Sequence, residues 1–135
     1  MMFILAVLVA TIAWFVAAVV LFFNPITDKS YRTEEKHPAV RSLPQSPKTI
    51  GKILASILVQ VVLWAYVYVL VAPALPGDKL SKGLFFGLIL SLTKIVPRDI
   101  DRMLLTTYPK KRMMIEFVIG LICSFVVGIA FGYLL

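Results

Sequence analysis

The first 23 residues, MMFILAVLVATIAWFVAAVVLFF (Met1–Phe23), contain no charged side chain. Coiled as a helix at ~1.5 Å per residue they reach about 34 Å, enough to cross the hydrocarbon of a bilayer. A cleaved signal peptide is the competing reading. It fits poorly, because no Lys or Arg precedes the run and no small-x-small cleavage site closes it. Asn24-Pro25 then stops the helix.

Two further runs have the same character. Ile53–Ala72 lies between Lys52 and the breakers Pro73, Pro76 and Gly77, and Met113–Leu135 follows Lys110-Lys111-Arg112. A third candidate, from Gly83, stays apolar only to Val96 and already holds Lys94. Beyond Pro97, charged residues alternate with Ile100, Met103, Leu104 and Leu105. At ~100° per residue the charges share one arc and Val96, Ile100, Met103 and Leu104 the other. This predicts a helix over about 83–107, bent at Pro97, with a polar inner side. A re-entrant or interfacial segment is the alternative.

The expected fold is therefore all-α: an integral membrane four-helix bundle, one domain over 1–135, with spans near 1–23, 53–72, 83–107 and 113–135. The composition agrees. Apolar residues make up 60% of the chain and mean hydropathy is +0.92, more than a soluble unit of 135 residues could bury.

Charge placement predicts orientation. Of the 14 basic residues, six lie in 24–52 and six in 94–112, against Lys79 and Lys82 in the turn between spans two and three. With four spans the two rich segments share a side. The positive-inside rule makes that side cytoplasmic, with both termini out (N-out/C-out), in a cell inner membrane. Pro25, Pro38, Pro44 and Pro47 lead us to expect an extended basic strap over 24–52 rather than a helix.

In lipid, helices associate through close backbone contact and internal polar bonds. Gly120, Ser124, Gly128 and Gly132 recur at intervals of four on the last span, and Gly83, Gly87 and Ser91 do so on the third. These ridges are candidate packing faces, within the chain or between copies in a homo-oligomer. Span two offers Ser56, Gln60, Trp64 and Tyr68; mid-span Gln60 is expected to bond to another helix. Trp64, Tyr66 and Tyr68 suit in part an interfacial aromatic belt.

The candidate binding residues are Lys94, Arg98, Asp99, Asp101, Arg102 and Glu116, with Tyr108 nearby. The short Tyr108–Arg112 turn folds Glu116 level with about Arg102, within reach of Arg98. As three cations and three anions, the six form either an ion-pair staple or a site. A site would capture a phosphate or carboxylate headgroup of anionic lipid on Lys94, Arg98 and Arg102. Alternatively, Lys94 and Glu116 would line a path through an oligomer.

No cofactor or metal is expected: the only His, His37, is in the loop, and Cys123 is the single cysteine. No catalytic residue is assigned, although Lys94 stands three residues from Ser91. The net charge of +7 flanks apolar runs rather than lining an aromatic-studded groove, so nucleic acid is not an expected partner.

Gly83-Leu-Phe-Phe-Gly87, Leu104-Leu-Thr-Thr-Tyr-Pro109 and the glycine-spaced last helix resemble small bacterial four-helix membrane proteins of unknown function. That resemblance implies the fold and carries no activity. Small multidrug exporters share the plan but depend on an acidic residue in the first helix, and Met1–Phe23 has none. The function expected is a non-enzymatic binding or accessory module among membrane lipids. The alternatives are a small oligomeric transporter or channel, then a membrane-embedded lipid enzyme.

Overall fold

The computed structural model describes all 135 residues and contains helices and turns but no strand. The helices are α1 (Met2–Phe22), α2 (Pro25–Arg32), α3 (Pro47–Val71), α4 (Lys79–Leu90), α5 (Val96–Leu105) and α6 (Lys110–Leu134). A π turn over Ser91–Ile95 joins α4 to α5, giving one rod over Lys79–Leu105. Four segments are long and apolar enough to cross a membrane: α1, α3 with its 3-10 extension to Ala74, the α4–α5 rod, and α6.

The strap expected over 24–52 is corrected at both ends. Asn24 caps α2 by accepting from the Ile26 and Thr27 amides, and Pro25 takes the first helical position, where its missing N–H costs nothing. Ser46 caps α3 through the Thr49 amide, again with a proline at the first position. Two of the prolines read as breakers therefore start helices. Irregular backbone is confined to the stretch between α2 and α3.

Irregularity in the third span begins before Pro97. Proline in mid-helix removes an N–H and pushes its ring at the carbonyl four residues back, here that of Thr93. Just ahead of it the helix widens by one residue, and the Val96 amide donates to the Ser91 carbonyl five residues back. The helix then runs on to Leu105.

α6 is the hub, packing on α4 along one side and on α1 along another, while α3 attaches mainly to α1. The glycine ridges of α4 and α6 meet each other. A Cβ on Gly83 would stand 2.8 Å from the Gly128 carbonyl oxygen, and one on Gly87 2.8 Å from the Phe125 Cα. Gly128 and Gly132 face the Gly83–Gly87 and Lys79–Gly83 backbones in return. Gly120 accommodates the Ile95 side chain. Of the two uses expected for these ridges, the one seen is packing within the chain.

Ser91 and Ser124 donate back to the carbonyls of Gly87 and Gly120, so these hydroxyls complete the ridges without needing an outside partner. Gln60 is corrected likewise. Its amide donates to the Ser56 carbonyl and hydroxyl, one turn back on α3, and reaches no other helix.

The core is apolar and aromatic: Ala6, Val7 and Ala10 of α1, Ile57, Val61, Ala65 and Tyr68 of α3, Phe86 and Leu90 of α4, Val127 and Phe131 of α6. Tyr68 packs edge-on to Phe86, with ring centroids 5.0 Å apart. Of the expected aromatic belt, only Tyr66 points outward; Tyr68 is core. Outside, large apolar side chains stay bare on every long helix, among them Ile12, Leu63, Leu70, Leu92, Leu104 and Val118. Acyl chains cover such a surface; water does not.

Candidate functional site: an arginine–carboxylate cluster and a lysine between two indoles

The two basic segments meet at one end of the bundle. The α5–α6 turn is short, so α6 returns beside α5 and sets Glu116, in the second turn of α6, against Arg102 of α5. The Arg102 Nη1 donates to Glu116 Oε2 at 2.6 Å. The other carboxylate oxygen accepts from two phenols, Tyr108 at 2.5 Å and Tyr31 at 2.7 Å. Arg112, one turn before Glu116, lies 3.7 Å from it and donates to the Tyr108 hydroxyl and the Tyr31 carbonyl.

Both rings sit under guanidiniums. Arg112 lies 3.6 Å from the Tyr31 ring centroid and Arg102 4.8 Å from that of Tyr108. Each tyrosine thus gives its face to a cation and its hydroxyl to the anion, which suits the ring quadrupole and the phenol together. Burial, then the hydrogen bond to Glu116, hold the Tyr31 phenol well above its ordinary range, and the Tyr108 phenol is raised by the same two causes in the same order.

A second carboxylate extends the cluster. Asp99 is buried and takes a two-pronged bond from Arg98, at 2.9 and 3.1 Å, with Arg102 3.8 Å away. The chain of charges runs Arg98, Asp99, Arg102, Glu116, Arg112. No buried side-chain polar atom lacks a partner.

The sequence-based membership changes in four places. Asp101 points outward from α5 and pairs with nothing. Arg98 spends itself on Asp99 and does not reach Glu116. Lys94 is absent from the cluster. Tyr31 and Arg112 join it, so three arginines face two carboxylates and the balance is one positive charge rather than zero. The Arg112–Glu116 and Tyr108–Arg112 spacings of four are legible in the sequence and point to those contacts. Tyr31 is 85 residues from Glu116, and no local pattern places it there.

Lys94 turns the other way. It rides on the π turn, and its amine lies 4.1 Å from the Trp64 ring centroid and 4.5 Å from that of Trp14. The two indoles stack on each other, with centroids 4.9 Å apart. Lys94 has no carboxylate within ion-pair range, and the Ser91 hydroxyl is committed to the Gly87 carbonyl rather than to the amine. Trp64, a candidate for the interfacial belt in the sequence, is made by the fold a partner of a cation together with Trp14.

No family model, curated protein or solved structure matches this chain.

Beside Glu116 the α2–α3 connection lies over the cluster and encloses about 410 Å³ between Val40–Arg41 and Arg102, Tyr108 and Arg112. Of the arginines facing that space, Arg102 and Arg112 are already held by Glu116, while Arg41 has no ion-pair partner. A ligand anion on Arg102 or Arg112 would have to displace Glu116, which costs a part-buried ion pair. The cluster is built to hold the α2 segment, α5 and α6 together.

Proposed function

We propose that the protein is a non-enzymatic, multi-spanning membrane module whose basic end lies in the cytoplasm, both termini outside, and engages the anionic headgroups of the inner leaflet. One observation carries this reading. The cluster consumes both its carboxylates on its own arginines, leaving Lys29, Lys36, Arg41, Lys48, Lys52, Lys110 and Lys111 at that end without an ion-pair partner. Each such cation beside an anionic surface is worth about 1 kcal/mol, screened within a Debye length. In this assignment the cluster is a staple and the free lysines are the contact.

Retained lipid is the direct measurement. Native mass spectrometry of protein released from mixed bilayers is expected to show phosphatidylglycerol held in preference to phosphatidylcholine, and a preference that weakens in high salt. Equal retention of both lipids rejects the reading. Orientation has its own test, with single cysteines at Gln45 and Lys79. Labelling from the periplasmic side is expected at Lys79→Cys only, and reaction at both sites contradicts the topology. Gly77 is unsuited to that test, because its φ of 88° leaves a Cβ 2.6 Å from the Ser81 Cβ.

Transport by several copies is the second reading, and Lys94 is what favours it: an amine without a counter-ion, deep in the rod. Solute flux in reconstituted vesicles that Lys94→Met abolishes would put transport ahead of the binding role.

A further inference from the structure

We propose that the groove between the α2–α3 connection and the first three turns of α3 is a discrete site for an anionic glycerophospholipid, its phosphate held by Arg41, Lys48 and Lys52. This rests on the reading of the basic end given above and narrows it to one place. The groove encloses about 540 Å³ and has no acidic residue in its wall. The neighbouring cavity shares Arg41, but there Glu116 is part of the wall and holds Arg102 and Arg112. Here none of the three cations has an ion-pair partner.

The wall changes character along α3. Lys48, Lys52 and Ser56 follow one another at intervals of four and share a helix face, with Arg41 contributed by the connection. The Ser56 hydroxyl accepts from Gln60, so its own hydrogen is available to an ester oxygen. On the adjacent line come Ile53, then Ile57, which is buried. From Lys48 to Ile57 the helix rises about 13.5 Å. Cations stand over the outer ~6 Å, and Ile53, the Ser56 hydroxyl and Ile57 follow deeper along the helix. A phospholipid likewise sets its phosphate outside its ester and acyl region along the membrane normal. Free phosphate would use only the outer, cationic part of the groove. Complementary charge and matched polarity select a lipid from the surrounding leaflet as the occupant.

The test uses the full chain in nanodiscs of mixed phosphatidylglycerol and phosphatidylcholine, with retained lipid read by native mass spectrometry. Lys48→Gln/Lys52→Gln is expected to cut the preference for phosphatidylglycerol by roughly 30-fold at unchanged thermal stability. Lys110→Gln/Lys111→Gln removes the same charge from the same end but outside the groove, so it weakens only the diffuse attraction and is expected to cut the preference by a clearly smaller factor. Equal losses in both variants overturn the groove while leaving a diffuse basic surface intact. No preference in the unsubstituted chain overturns both readings. Retention of added inorganic phosphate without any selection among lipids overturns the lipid assignment.

Discussion

Between α4 and α6 the backbones touch, with Gly83 and Gly87 laid against Gly128 and Phe125. Between α1 and α3 the space is filled instead by side chains: Trp14 on Trp64, Phe3 on Tyr66, and Lys94 reaching across from the rod. The first contact has no slack, because its closest atoms are main chain. The second can repack, since rings and a flexible lysine stem can shift by a rotamer. A substitution of similar size should therefore have very different consequences on the two sides.

The sharpest way to break that contrast is Gly128→Ile. Its Cβ would run into the Gly83 carbonyl and the Gly87 amide, neither of which can move without displacing a helix. We expect more than about 3 kcal/mol of destabilisation and loss of the helical hairpin, seen as a broadened size-exclusion peak and a lost unfolding transition. Normal melting would mean that the ridge is loose.

Next in size is Glu116→Gln. Arg112 loses its charged partner and Arg102 its closer one, leaving it only Asp99, while both tyrosines keep an acceptor, so about 2–4 kcal/mol should go from stability in detergent. An unchanged melting temperature would remove the staple role from this carboxylate.

Tyr31→Phe tests the one long-range strut of the cluster and should cost about 1–2 kcal/mol. It also carries a pH signature. The Tyr31 phenol stands above its ordinary 10.0 in the folded protein, so the folded form binds this proton more tightly than the unfolded form. That stabilisation is complete below about pH 10 and is lost as pH rises toward the folded value. The variant should show a flatter fall in melting temperature between about pH 9 and 11, and parallel curves would count against the assignment.

The smallest effect belongs to the adaptable side. Lys94→Met keeps the stem, gives up the attraction to two indoles and removes the cost of a charge held in hydrocarbon. The net change should be a gain of about 1 kcal/mol with altered tryptophan emission. A large loss would show that the amine, and not the ring stack, holds α1 to α3.

Spacing marks the parts of this molecule that were legible beforehand. Three apolar runs of 20 or more residues, the amphipathic stretch after Gly83, glycines at intervals of four and the short turn after Tyr108 are local patterns. They convert into four long helices, a close α4–α6 contact and Glu116 level with Arg102. Gln60 misled for a related reason: an amide in mid-helix needs a partner, and Ser56 one turn back supplied it at no cost in chain folding. The 24–52 segment misled because proline starts a helix as readily as it ends one when Asn24 or Ser46 stands before it.

By itself the sequence determined that the chain is helical, that four stretches suit a bilayer, and that positive charge gathers at one end. Those properties follow from residue type and period, which act over one or two turns. Only the tertiary structure decided which charges meet. It took Lys94 and Asp101 out of the cluster, brought Tyr31 to Glu116 across 85 residues, and left Arg41, Lys48 and Lys52 without counter-ions. Partner choice depends on how helices rotate against one another. Glycine spacing marks the faces on which α4 and α6 meet, but no period in the chain encodes the π turn before Pro97 or the side on which α2 reaches the cluster.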